Sequence, residues 1–279
     1  MGEGAFFFQG GAVLLPEEGA VAVENLEIPL AYGEYFPMSD IFTIPAIIGG
    51  AGEGATISGV YVSPEAPLPP HWQAIPVRQT LSLFADGAMD GGTGQAGRML
   101  RAFHIAQWRR ESLFCGSCGS KNTDAVLDAA KGSEASSGPA RQCPSCGRME
   151  FPRIAPAVMT LVTNDEGKIL LAHNKTFSPG LYSLIAGFVE AGENLEAAAA
   201  REVREEAGIE ICGIQYAASQ PWPFPHSLMI CFTARHVSGA LKADGVEIED
   251  AQWFSRDNLP TLPRVGSIAR RLIEGWLEG

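Results

Sequence analysis

The chain has no run of about 18 apolar residues, the length at which a stretch reads as a membrane-spanning helix. Positive charge is also scarce: 20 Lys and Arg stand against 32 Asp and Glu, a formal net charge of −12. That balance gives no general attraction for nucleic acid or an anionic membrane. Phosphate would have to be received by a local basic pocket or by the charge of a bound metal. Residues 1–19 carry no Lys or Arg, so the basic flank of a secretory signal is missing and a cytoplasmic location is expected. No internal repeat is evident. What remains is a globular composition, 46% apolar and 19% charged, in 279 residues, enough for roughly two domains.

The strongest signal is residues 187–209, GFVEAGENLEAAAAREVREEAGI. Gly187 is followed after five residues by Glu193, and after seven more by Arg201-Glu202-Val203-Arg204-Glu205-Glu206. The part from Leu195 to Ala207 is rich in Ala, Glu and Arg with no internal Pro or Gly, which predicts a helix capped by Asn194 and ended by Gly208. Glu202, Glu205 and Glu206 then share an arc of about 100°, and their mutual repulsion is relieved by a bound cation. Carboxylate oxygens suit Mg²⁺ or Mn²⁺, which keep open positions for phosphate. A solvated acidic face, with Arg201 paired to Glu205 at i+4, is the plainer reading of the same residues.

A second metal signal precedes it. Cys115 and Cys118, then Cys143 and Cys146, form two CxxC knuckles, each followed by glycine. Four thiolates so spaced suit a closed, structural Zn²⁺ site; two disulfides or a redox CxxC are the other readings. Residues 131–139 between the knuckles read as a flexible surface loop. Cys212 and Cys231 are expected to be small core residues.

Short β-prone segments such as residues 12–15 and 57–62 predict a small strand-rich N-terminal domain. Residues 75–81 look like another strand and residues 86–97 like a Gly-rich loop. A helix should follow, with Met99, Phe103 and Ala106 on one face. Strands are expected at 158–163 and 168–172, and Ile268, Leu272, Ile273, Trp276 and Leu277 predict a core-facing terminal helix. Residues 219–227, SQPWPFPHS, alternate prolines with aromatics and suit either a preformed wall for a planar ligand or an ordinary Pro-rich loop.

Residues 187–209 match the Nudix hydrolase signature at every fixed position, so the chain resembles that superfamily. SQPWPFPxS soon afterwards, with a four-cysteine ribbon before the catalytic domain, is similar to the NADH pyrophosphatase and NAD-capped RNA hydrolase subfamily. The resemblance implies an α+β chain: a Nudix α/β/α sandwich with a mixed sheet over residues 151–279, a zinc ribbon over 111–150, and a degenerate Nudix-like domain over 1–110. It implies a metal shell of the Ala186 carbonyl, Glu202, Glu206 and Glu247, with Glu205 and Glu206 catalytic. The implied substrate contacts are Ser219, Gln220, Pro221, Trp222, Pro223, Phe224, Pro225, His226 and Ser227, together with Phe188, Ala269 and Arg78. Phe151 stands where many relatives carry a Tyr lent by a partner subunit, so a homodimer is implied; the ring is kept and a hydroxyl lost. Glu17 lies near a position that is Lys in some relatives.

The activity implied is metal-dependent hydrolysis of NAD(H) to AMP and nicotinamide mononucleotide, extending to the 5′ end of NAD-capped RNA. ADP-ribose or dinucleoside polyphosphates are alternative substrates. A catalytically silent zinc-ribbon regulator is the alternative from another class.

Overall fold

The protein, seen as a computed structural model, is described over residues 4–16, 28–29, 40–45, 56–83, 94–125 and 139–279. The expectations for Glu17 and for residues 86–93 and 131–138 fall outside them. The chain divides into two compact units, Met1–Arg153 and Ile154–Gly279.

In the first unit, β1 (Gly4–Gln9), β2 (Ala12–Pro16), β3 (Ile28–Pro29), β4 (Asp40–Pro45), β5 (Thr56–Val62) and β6 (Trp72–Pro76) form one sheet. Its order is β4-β5-β1-β2-β6, with β3 also on β1. The unbroken Phe6-Phe7-Phe8 fits a central strand buried on both faces, and all three rings are fully buried. Phe7 packs with Leu14, Val60 and Trp72, while Phe8 meets Phe103 on the helix Gln95–Glu111, ring centroids 5.4 Å apart.

Residues 75–81 are not one strand. β6 stops at Pro76, which has no N–H to extend a ladder; Val77 N donates instead to Gly11 O, and a single helical turn, α1 (Val77–Thr80), begins. The following helix, α2 (Gln95–Glu111), also starts earlier than its glycines suggest, taking up Gly97, which is buried. Three short strands, β7 (Thr123–Asp124), β8 (Arg141–Gln142) and β9 (Met149–Glu150), make the ribbon's sheet. Arg141 fastens it to the end of α2, its Nη1 donating to the Arg109 carbonyl at 2.9 Å. The same arginine pairs with Asp124.

The second unit is a mixed sheet between helices. β10 (Ala155–Thr163) is central, parallel to β14 (Ser227–Ser238), with β11 (Ile169–Asn174) and β12 (Ile185–Phe188) antiparallel to it. β13 (Glu210–Trp222) and β15 (Ile248–Phe254) close the order β13-β14-β10-β11-β15. Alternate residues of β10 serve the two faces. Val158 and Val162 pack with Ala198, Ala199, Val203 and Ala207 of α3 (Leu195–Ala207). Leu161 and Thr163 face the side that carries α4 (Ile268–Glu278).

On α4 the burial is narrower than its pattern predicts: Ile268, Ala269 and Ile273 are buried, while Leu272, Trp276 and Leu277 stay half-exposed. Cys231 is buried as expected; Cys212 is not a core residue but an exposed one on β13.

Candidate active site

The site is built on α3, whose ends lie where its caps require. The Asn194 carboxamide oxygen accepts from Ala197 N at 2.8 Å, and Gly208 closes the helix with a left-handed φ of 71°. Glu202 and Glu206 share the inner face and Glu205 stands 60% exposed. Arg201 binds much of the surrounding loop. Its guanidinium clasps Glu193 through Nε (2.7 Å) and Nη2 (2.9 Å), donates to the Phe188 carbonyl (2.8 Å), and reaches Glu202 (2.8 Å) and Glu205 (3.0 Å). Glu193 in turn accepts from Glu190 N at 3.0 Å, so the loop between β12 and α3 is tied to the helix at both ends.

Glu206 receives no such relief. It is 7% exposed, and burial, added to the nearby charges of Glu202, Glu247, Asp244 and Glu205, pushes its carboxyl up to about 8. Burial also raises Glu202, against the pull of Arg201. A buried carboxyl surrounded by other carboxylates fits a hard divalent cation, because only added positive charge lets all of them ionise together. Gly187 is part of the same fit: a Cβ built there would overlap the Glu202 carboxylate. β12 pairs with β10 through Gly187↔Val158 and Ala186↔Met159, setting the Ala186 backbone next to that contact.

Glu247 approaches from the loop before β15. Asp244 shapes that loop by accepting from Val246 N (3.0 Å), Glu247 N (3.2 Å) and Ile248 N (2.8 Å). Lys175 N donates to the Glu247 carbonyl at 3.0 Å. Neither Asp244 nor Lys175 was picked out by sequence. The Asp-Gly pair at 244–245 is the turn signal from which Asp244 was readable.

Residues 219–227 form the tip of the β13–β14 hairpin. Ser219, Pro221 and Pro225 are exposed, Trp222, Phe224 and His226 half-buried, and Gln220, Pro223 and Ser227 buried. Gln220 is occupied structurally, its Nε2 donating to Gly266 O and its Oε1 accepting from Ile268 N, each at 2.9 Å. It fastens the start of α4, where Ala269 is only 4% exposed. The Trp222 and Phe224 rings meet edge to face at 5.1 Å. Phe188, at the end of β12, is 54% exposed.

Arg78 and Phe151 belong to the first unit. Arg78 sits exposed on α1 rather than at a strand end, and Phe151, just past β9, is 55% exposed.

The four cysteines converge. Sγ separations of 3.4 Å (Cys118 to Cys143) and 3.6 Å (Cys115 to Cys146 and Cys118 to Cys146) approach the edge of a Zn–S tetrahedron, about 3.8 Å for bonds of about 2.3 Å. The knuckles are twins: Gly119 N donates to Cys115 O and Gly147 N to Cys143 O, both at 2.9 Å, with φ of 73° and 75° at the glycines. Among the described residues this is the group whose ligand atoms all lie within 4.8 Å of one another. The carboxylates are gathered more loosely.

A family model, the NUDIX domain, matches residues 153–275. The NAD-capped RNA hydrolase NudC of Deinococcus radiodurans is 34% identical over 94% of each chain, and the present chain belongs to the NUDIX family. The NAD-capped RNA hydrolase NudC of Pseudomonas aeruginosa is 48% identical over 180 residues, 63% of this chain. That match spans 59% of the relative's length, less than two thirds. Among solved structures, a NUDIX hydrolase from Nitrosomonas europaea covers 59% of this chain and 90% of its own, with a TM-score of 0.47 and 23% identity. The family requires a divalent metal, and the cysteine cluster is of a kind that holds zinc. No helix among the described residues is long and apolar enough to cross a membrane.

Proposed function

We propose that the chain is a Mg²⁺- or Mn²⁺-dependent hydrolase that splits the diphosphate of NAD(H) into AMP and nicotinamide mononucleotide. Removal of the NAD cap from RNA 5′ ends is the same bond cleavage on a longer substrate. The observation that carries the reading is Glu206, buried among Glu202, Glu205, Glu247 and Asp244 in the unit that also bears the SQPWPFPHS hairpin tip. The names of the relatives agree with it.

Glu202, Glu206, Glu247 and the Ala186 carbonyl would hold the metal. When bound, it would neutralise the diphosphate and lower the pKa of a coordinated water. Arg201 holds Glu202 in place and orients Glu205, which is exposed enough to take a proton from the attacking water. Phe188 and the Trp222–Phe224 pair offer flat apolar faces to a base or nicotinamide ring. The exposed Phe151 ring suits a second copy's site, which motivates the homodimer. Cys115, Cys118, Cys143 and Cys146 would hold a structural Zn²⁺ with no open position.

The test is incubation with NADH, with and without Mn²⁺, followed by chromatography. AMP and reduced nicotinamide mononucleotide should form only with metal and vanish in Glu206→Gln. Cleavage of ADP-ribose or a dinucleoside polyphosphate in preference to NADH would move the substrate assignment. No cleavage of any of these would leave a binding role.

A further inference from the structure

A cavity of about 620 Å³ lies between the sheet and α4, within the size range of small-molecule sites. It uses none of the residues assigned to metal or substrate. Its floor is apolar, from Leu161 on β10 and Leu272 and Trp276 on α4, and three arginines stand around it: Arg235 from β14, Arg256 from the segment after β15, and Arg271 from α4. Its far end stands well away from the hairpin tip: along the β10–β14 ladder, Ser227 pairs with Ala155 and Arg235 with Thr163, eight residues on, or roughly 26 Å at about 3.3 Å per residue. Its near end, at Ala218 and Ile268, adjoins Ser219 and Ala269.

The three arginines differ from Arg201, Arg204 and Arg270 of the same unit. Arg201 is paired with glutamates, Arg204 with Glu210 and Arg270 with Glu274, whereas among the described residues Arg235, Arg256 and Arg271 have no acidic partner. Three arginines without an acidic partner lining one cavity are conspicuous in a chain of net charge −12. Arg256 already lies over the Trp276 ring, 5.3 Å from its centroid, so part of the rim is preorganised. Gly279, which caps α4, also lines the cavity; the helix dipole takes back about half a charge there and the terminal carboxylate of Gly279 one more. About one and a half positive charges remain, on the order of what a phosphomonoester with −1.5 to −2 balances and more than one carboxylate needs.

We propose that this cavity is a second ligand site, for a phosphomonoester with a flat or apolar body, a nucleoside monophosphate being the simplest. The proposal does not rest on the hydrolase reading. Calorimetric titration of the full chain with AMP under a chelator, so that no metal assists the acidic site, should show binding that Arg235→Ala or Arg271→Ala weakens about tenfold. Glu206→Gln should leave it unchanged. Both arginines are exposed, so unaltered melting curves should accompany the loss. Inorganic phosphate, which leaves the apolar floor unused, should bind about tenfold more weakly than AMP. Absence of AMP binding overturns the proposal, as does binding that survives both arginine substitutions and is lost in Trp222→Ala. Equal binding of phosphate and AMP overturns the assignment to a nucleotide.

Discussion

The two groups of candidate metal ligands are built on opposite plans. In the ribbon, four sulfurs all within 4.8 Å of one another, three of the pairs at 3.4–3.6 Å, are held by paired backbone turns, and they face one another closely enough to enclose an ion. In the second group the ligands are spread over the face of α3, the β12 backbone and a loop from before β15, and one of them, Glu206, is forced toward neutrality by its burial and then by the surrounding carboxylates. A closed thiolate site contributes its binding energy to folding, whereas an open carboxylate site keeps unbalanced charge for a ligand that arrives later. The first kind stabilises the chain and the second costs it stability.

The largest expected effect therefore falls on the ribbon. Removing one sulfur with Cys143→Ser should abolish stoichiometric zinc and leave residues 113–150 open to limited proteolysis, since structural zinc sites are worth on the order of 10 kcal/mol of folding energy in small domains. Unchanged zinc content and cleavage pattern would break the comparison at its first term.

Next comes Glu206→Gln. The substitution should lower kcat for NADH cleavage about a thousandfold or more, as expected when a metal-assisted site loses a charge-bearing ligand. Yet it should raise the melting temperature of the metal-free protein, because a buried, crowded carboxylate is replaced by a neutral amide. Lost activity with lost stability would make Glu206 merely structural. Gly187→Ala should act more weakly, by about a hundredfold on kcat, because its methyl displaces Glu202 without removing it. If its activity is normal, Glu202 is free to move and is not fixed by the β12 backbone.

How far the sequence reaches differs along the same line. The bounds of α3, Leu195–Ala207, were readable because a cap, an Ala/Glu/Arg run and a terminal glycine are all local. The cysteine knuckles were readable because two short turns carry the ligands. Arg201's grip on Glu193 and the Phe188 carbonyl was not, since each partner is eight or more residues away and fixed by the loop's path. The same holds for Gln220, whose motif position suggests a ligand contact but whose amide anchors residues 46 and 48 positions further on. At residues 75–81 a β-prone composition lost to one proline, which ended the ladder.

The smallest effect tests the electrostatic half of the comparison. A carboxyl near 4.3 in the unfolded chain and raised to about 8 in the fold binds its proton more tightly when folded. Between those values the folded state holds more protons than the unfolded one, so stability falls as pH rises. The contribution of neutral Glu206 is complete below pH of about 4 and is lost as pH passes through about 8. Metal-free protein should thus show a falling melting temperature from pH 5 to 8, and Glu206→Gln a flatter one over the same window. Saturating Mn²⁺ should flatten the wild-type curve too, because binding displaces the proton from Glu206 and replaces it with a charge that the surrounding carboxylates favour. Parallel slopes in wild type and Glu206→Gln would mean that the cluster is well solvated, and the contrast with the closed ribbon would then be one of geometry alone.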